Sequence, residues 1–295
     1  MSEDGAPRLA AVLGWPVGHS LSPPLHAAWF ARHGLNGAYV ALPVAPADLP
    51  LAFRALPRLG FSGWNVTLPH KEQAADLVDE LDRSAVRSGV VNTVLVSADQ
   101  RTRGYSTDGF GFLANLEAQV PGWQAGQGPA VLLGTGGAAR AVAVALLEAG
   151  CGELRLSNRS AARAERLAAT LADLFPTARL VVVDWEQRAI ALAGAALCVN
   201  CTSLGMVGQP PLELALDALP RTSPVADLVY RPLVTALLRA ARQRGHPVVD
   251  GLGMLIWQAV PGFAHWGGVT PVVDAAIRAV LLRALGEPGG EGVPR

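Results

Sequence analysis

The chain has 295 residues, 51% hydrophobic and 16% charged, with 24 basic and 24 acidic side chains. That length suits two ordinary domains with sizeable cores, and the composition excludes extended disorder; zero net charge excludes a nucleic-acid binder that works by bulk positive charge. No apolar run reaches the length of a membrane span, the acidic start Met1–Arg8 does not read as a signal peptide, and three cysteines suit a reducing compartment, so a soluble cytoplasmic protein is expected.

In chain order, short β-rich runs alternate with helical patterns, which predicts an α/β fold with mostly parallel sheets. Strands are expected at Leu9–Leu13, Ala38–Leu42, Gly63–Thr67 and Val91–Val96. Helices fit Pro23–His33, Pro46–Leu56 and Pro69–Val78, each opened by a proline at its first turn. A strand or turn at Arg101–Tyr105 leads to a helix over Asp108–Ala118. The Gly- and Pro-rich run Pro121–Pro129 reads as a loop between domains. A second α/β region follows, with strands at Ala130–Leu133, Glu153–Leu156, Leu180–Val183, Ala196–Val199 and Val225–Leu228 and helices between them. From Gly251 to Leu285 the pattern is helical, and residues 286–295 form a Gly- and Pro-rich tail expected to fray.

The run AVLLGTGGAAR at Ala130–Arg140 combines a strand, a glycine turn and a helix start. Gly134 permits the sharp turn, Gly136 lets the backbone approach a pyrophosphate, and the helix N-terminus offers free N–H groups. An NAD site carries Asp or Glu at the end of the next strand to hold the ribose 2′-hydroxyl. Here that place reads Leu156-Ser157-Asn158-Arg159-Ser160, with Arg163 shortly after. Two arginines and no acid favour a 2′-phosphate, hence NADP; the plain alternative is a solvated helix start.

The first region holds three polar clusters at strand ends: GHSLSPP from Gly18, NVTLPHK from Asn65 and GYSTDG from Gly104. Ser20 and Ser22 alternate, so in an extended loop both hydroxyls face one side and can grip a carboxylate; the other reading of Ser22 is a helix N-cap. Asp108 has the same two readings. Lys71 is either a surface lysine or a cation held near a helix start by a carboxylate from elsewhere. Cys198 and Cys201 form a C-x-x-C without the second pair a zinc site needs, and it straddles a strand end where a redox pair would open a helix. His19, His26 and His33 recur every seventh residue with no acidic partner beside them. No metal site is expected.

These motifs resemble the shikimate dehydrogenase family. The match runs through GHSLSP, NVTLPHK, GVVNT (Gly89–Thr93), STDG (Ser106–Gly109), GTGGAARA, NRSAAR, NCTSLGM (Asn200–Met206), DLVYRPLVTALL (Asp227–Leu238) and DGLGMLIWQA (Asp250–Ala259). The resemblance implies an N-terminal α/β substrate-binding domain (1–109 and 252–285) and a Rossmann NADP-binding domain (110–251), with a C-terminal helix pair returning to the first. It implies Lys71 and Asp108 as the catalytic pair. Ser20 and Ser22 would hold the substrate carboxylate, and Thr67, Asn92 and Gln258 would contact the carboxylate or ring hydroxyls, with Tyr230 lining the same pocket. Gly134, Thr135, Gly136, Gly137 and Ala138 would cradle the pyrophosphate of NADP (NADPH). Asn158, Arg159, Ser160 and Arg163 would bind around the 2′-phosphate. Asn200, Thr202, Ser203, Leu228, Gly251 and Met254 would lie along the nicotinamide half. The implied reaction is reversible reduction of 3-dehydroshikimate to shikimate. The alternatives are a quinate/shikimate dehydrogenase paralogue and a non-catalytic sensor on the same fold; monomer and homodimer both stay open. Ser106, Cys201, Val90 and Arg231 depart from the family's usual Asn, Ala, Ala and Asn.

Overall fold

The structure, a computed structural model, describes residues 7–286. The expected fraying tail therefore lies outside the described residues except for Gly286, as do residues 1–6 at the start. The chain forms two compact units, Met1–Thr107 with Gln258–Arg295, and Asp108–Trp257. Asp108, Gly109 and residues 252–257 thus fall in the second unit rather than the first.

The first unit runs β1 (Arg8–Gly14), α1 (Ser22–Arg32), β2 (Gly37–Pro43), α2 (Leu49–Arg58), β3 (Phe61–Val66), α3 (Lys71–Ala75), β4 (Glu80–Leu81), α4 (Arg83–Ser88), β5 (Thr93–Val96) and β6 (Thr102–Tyr105). Its sheet has the order β2-β1-β3-β5-β6-β4. The β1/β2, β1/β3 and β4/β6 pairs are parallel, whereas β5 runs antiparallel to both β3 and β6. The reversal at β5/β6 follows from its short connection, which can close a hairpin but cannot carry a parallel crossover. Leu13, Phe53, Leu56, Trp64, Val66 and Val94 form one buried core. Elsewhere in the unit His26, Trp29, Phe30 and Tyr39 pack with Phe263 and Trp266 in an aromatic cluster.

The helix expected over Pro69–Val78 shrinks to α3. Leu68–His70 form a turn instead, so Pro69 does not open the helix. Downstream, Asp79 accepts from the Thr102 amide and hydroxyl at 2.6 and 2.9 Å, which ties the chain to β6 and ends the helical run. Pro46–Asp48 form a 3-10 turn ahead of α2 rather than its first turn. The unforeseen α4 is capped by Asp82, which accepts from the Ser84 amide, and ends on Gly89 at φ 67°. The strand expected from Val91 begins at Thr93, because the Val91 amide is spent on the Lys71 carbonyl at 2.9 Å.

The second unit contains α5 (Asp108–Gln119), β7 (Ala130–Leu133), α6 (Gly137–Glu148), β8 (Glu153–Ser157), α7 (Ala161–Leu174), β9 (Arg179–Val183), β10 (Leu197–Asn200), β11 (Val225–Asp227), α8 (Ala236–Gln243), β12 (Val248–Val249) and the first part of α9 (Gly251–Gly267). Its sheet, β12-β11-β10-β7-β8-β9, is parallel throughout. Counted from β7 this is the doubly wound order 3-2-1-4-5-6, in which the crevice between β7 and β10 is the ligand-binding switch point. Strands buried on both faces read as continuous apolar runs, and AVLL of β7 is one. The last helix, α10 (Ala275–Leu285), belongs to the first unit and is capped by Asp274, which accepts from the Ile277 amide at 3.0 Å.

Candidate active site

In the first unit the polar clusters meet at one end of the sheet. Leu13 of β1 pairs with Val66 of β3, and Thr93 of β5 pairs with both Asn65 of β3 and Tyr105 of β6. The carboxyl ends of β1, β3 and β6 and the amino end of β5 therefore share an edge. Ser20, Thr67, Asn92 and Thr107 lie just beyond these strand ends. Thr67 is anchored there, its amide donating to the Leu13 carbonyl at 2.8 Å.

Asn92 is the hub of this edge. Its Nδ2 donates to Thr107 Oγ1 at 2.9 Å and to Gln258 Oε1 at 3.1 Å. Its Oδ1 accepts from the Thr107 amide at 2.7 Å. Asn92, Thr107 and Gln258 are all buried, so their mutual bonds offset the cost of removing amides from water. Ser22 is the first residue of α1 rather than its N-cap, and its amide donates to the Ser20 hydroxyl at 3.2 Å. Lys71 opens α3 and is half-buried. The turn before it is pinned through His70, whose Nε2 lies 2.8 Å from the Val44 carbonyl.

Asp108 is buried as the first residue of α5, one peptide bond after Thr107. It and Tyr230 belong to the second unit. Burial raises the Tyr230 phenol above its ordinary range against the opposing charge of Arg231, so it stays a hydrogen-bond donor at neutral pH.

The second unit fits a dinucleotide on three observations. Gly134 adopts φ +102°, and a Cβ there would press on Cys201 and Thr202 at 3.0 Å. A Cβ at Gly136 would meet nothing within 4 Å, so the space over that backbone is open. The buried Thr135 hydroxyl has no partner, and α6 begins with no side-chain cap. A pyrophosphate would satisfy these donors. At the end of β8, Asn158 Nδ2 donates to the Ser160 carbonyl at 3.0 Å and shapes the loop. Arg159, Ser160 and Arg163 are exposed at the start of α7, and neither guanidinium pairs with a carboxylate among the described residues. Two such forks beside an uncapped helix start suit a phosphate dianion.

Asn200 plays a different part from a free ligand contact. Its Nδ2 donates to the Leu204 carbonyl at 3.1 Å and to Asp227 Oδ1 at 2.9 Å. Its Oδ1 accepts from the Thr202 amide at 3.0 Å and the Thr202 hydroxyl at 2.7 Å. The amide is spent on holding the loop that carries Thr202 and Ser203. Gly251 approaches the Leu228 carbonyl so closely that a Cβ would sit 2.5 Å from it, and Met254 packs in the core cluster that Leu228 abuts.

Asp227 completes this brace. It accepts from Asn200, from the Val229 amide at 3.0 Å and from the Thr235 hydroxyl at 2.7 Å. Burial nevertheless dominates and pushes its carboxyl up to about 6 from 3.8. A carboxyl whose pKa is higher folded than unfolded binds protons more tightly in the native state. Its ionised form therefore costs stability above pH 6, by on the order of 3 kcal/mol, and the cost fades as pH falls toward 4. Asp227→Asn keeps the shape without the charge. The stability of the variant relative to the wild type should fall by ~3 kcal/mol between pH 8 and pH 4 in urea titrations; a difference independent of pH would contradict this.

The C-x-x-C is not a reactive pair. Burial pushes the Cys198 thiol up to about 12 and the Cys201 thiol higher still, with the Asp227 carboxylate adding to both. His19 is exposed in a loop, whereas His26 in α1 and His33 at its C-cap both face the Phe263 ring, with centroids 5.8 and 6.1 Å away. Among the described residues no three His, Cys, Asp or Glu side chains converge on a point that could hold a metal. No helix among them is long and apolar enough to cross a membrane. The residues that sequence reasoning missed, Thr93, Thr107 and Asp227, share one signal, a polar side chain at a buried strand end, which implies a partner.

Residues 12–94 match the family model described as shikimate dehydrogenase substrate binding domain. Over 278 residues the chain is 55% identical to shikimate dehydrogenase (NADP(+)) of Rhodospirillum rubrum, covering 94% of this chain and 98% of that one. A crystal structure of shikimate 5-dehydrogenase from Thermus thermophilus in complex with NADP(H) and shikimate is similar at TM-score 0.83 and 39% identity, covering 94% and 99% of the two chains. Quinate dehydrogenase from Corynebacterium glutamicum in complex with NAD is similar at TM-score 0.85 and 32% identity, covering 94% and 99%.

Proposed function

The chain belongs to the shikimate dehydrogenase family, and we propose that it catalyses the reversible NADPH-dependent reduction of 3-dehydroshikimate to shikimate. The observation that carries this reading is the buried Asn92–Thr107–Gln258 cluster at the sheet edge that also holds Ser20, Ser22 and Thr67. Neutral amides and hydroxyls suit a carboxylated, polyhydroxylated ring, which an apolar pocket would bind poorly. Ser20 and Ser22 grip the carboxylate, and Thr67, Asn92 and Gln258 sort the ring hydroxyls.

NADPH, when bound, supplies the hydride. Negative charge then grows on the ketone oxygen, and Lys71 as the ammonium donates a proton to it. In the reverse direction its free amine takes the hydroxyl proton. Asp108 is the carboxylate of the catalytic pair and accepts from a ring hydroxyl. Asn200 and Asp227 do not touch the reacting atoms; they set the loop bearing Thr202 and Ser203 against the nicotinamide half. The three free cysteines suit a reducing cytoplasm.

Initial rates with shikimate or quinate, and with NADP+ or NAD+, test the reading. Shikimate with NADP+ should give the highest kcat/KM. Faster turnover of quinate would make the protein the paralogue, and no turnover of any ring acid would reduce it to a sensor. Arg159→Ala with Arg163→Ala should raise the KM for NADP+ by about a hundredfold while moving that for NAD+ by less than about threefold, since each charge-assisted bond to phosphate contributes about 1.5–3 kcal/mol. An equal change for both cofactors would remove the 2′-phosphate assignment.

A further inference from the structure

We propose that Tyr39 is a positioning residue for substrate recognition, its phenol fixing the amides of Asn92 and Gln258 through Asn65. The proposal rests on the reading above that Asn92 and Gln258 contact the ring acid.

Tyr39 is the one buried residue of the edge strand β2. Its hydroxyl donates to Asn65 Oδ1 at 2.6 Å. The phenol thus sits beneath the sheet edge, bonded to the side-chain amide of Asn65. His26 stacks on the Tyr39 ring, with centroids 3.9 Å apart and planes within 4°, and leaves the ring little freedom to turn. Burial holds the phenol protonated well beyond its ordinary range and keeps His26 neutral, so the contact is a fixed donor on a fixed plate.

Asn65 carries the constraint onward. Its Nδ2 donates at 3.0 Å to both the Asn92 carbonyl and Thr93 Oγ1. Thr93 Oγ1 lies 3.1 Å from Thr107 Oγ1 and donates to Asn92 Oδ1 at 3.3 Å. Asn92 then reaches Gln258. An asparagine amide has two faces that exchange by a flip, and in Asn65 only one orientation serves all three partners. The Tyr39 proton selects it. Without that proton a buried carbonyl oxygen is left unmatched, and flipping the amide to relieve it would turn an oxygen toward the Asn92 carbonyl.

The test is steady-state kinetics of the full chain with shikimate and NADP+ varied independently. Tyr39→Phe should raise the KM for shikimate about tenfold, leave kcat within about threefold and leave the KM for NADP+ unchanged. Asn65→Ala, which cuts the same bond from the acceptor side, should raise the shikimate KM in the same way. The double variant should raise it by less than the product of the two single effects, because both act on one network. If Tyr39→Phe does not fold, Asn65→Ala alone carries the readout. A shikimate KM within twofold of wild type, equal rises in both KM values, or multiplicative effects in the double variant would overturn the proposal while the enzyme reading stands. Wild-type protein without activity on shikimate would overturn both.

Discussion

Lys71→Ala should lower kcat for shikimate oxidation by about a thousandfold, the middle of the range that a positioned general acid–base group contributes. Binding should suffer far less, because the bonds among Asn92, Thr107 and Gln258 remain available to order the recognition edge. The backbone of Lys71 keeps its place in the variant, because its carbonyl accepts from the Val91 amide and alanine retains that bond. Lys71→Arg separates charge from proton transfer. Arginine keeps the positive charge but does not release its proton at any working pH, so it should be as slow as alanine in the direction that needs a base. Single-turnover rates with shikimate and NADP+, with shikimate titration by protein fluorescence, read both effects. Turnover within tenfold of wild type in Lys71→Ala would remove lysine from the proton-transfer step. Recovery by Lys71→Arg would mean that charge alone is required.

Gly63→Ala should be the most damaging single methyl in the first unit. Gly63 lies inside β3, between β1 and β5. A Cβ there would overlap the Trp266 indole nitrogen and the Val94 carbonyl oxygen at once. Neither can give way. Val94 is held in the β5/β6 ladder, and Trp266 is buried against His26 and Tyr39. Overpacking of this kind costs about 3 kcal/mol or more when both neighbours are fixed, which is a large part of a domain's stability. Gly152→Ala is the control, since a Cβ there meets nothing within 4 Å and should change stability by less than about 0.5 kcal/mol. Urea unfolding of the two variants should differ accordingly, and equal midpoints would show that β3 has room the geometry denies. The position also bears on the site: β3 carries Asn65 and delivers Thr67 and Lys71, so a shift of this strand moves the recognition edge.

The glycine turn after β7 was legible because its chemistry is local. Gly134, Thr135 and Gly136 act through backbone conformation and a helix start, and both are written in consecutive residues. The exposed place of Arg159 and Arg163 around the start of α7 was legible for the same reason. The NVTLPHK run also pointed to a site, but its helix was misjudged. A proline followed by Lys-Glu-Gln-Ala-Ala looks like a helix start, and nothing nearby in sequence reveals that Asp79 will be claimed by Thr102 and cut the helix short. The antiparallel place of β5 was hidden likewise, since strand direction depends on which partner lies across the sheet.

By itself the sequence determined the α/β class, the glycine turn between β7 and α6, and the family through its motifs. Tertiary structure alone decided which of those polar residues are bonded to one another. The side-chain amide of Asn200 is one case, bonded to Asp227, Leu204 and Thr202. Tyr39 entered the site because its hydroxyl reaches Asn65 across 26 residues of chain. The reason is physical: a hydrogen bond acts over about 3 Å and takes no account of sequence separation, so the bonding of a buried amide is settled by the fold that surrounds it.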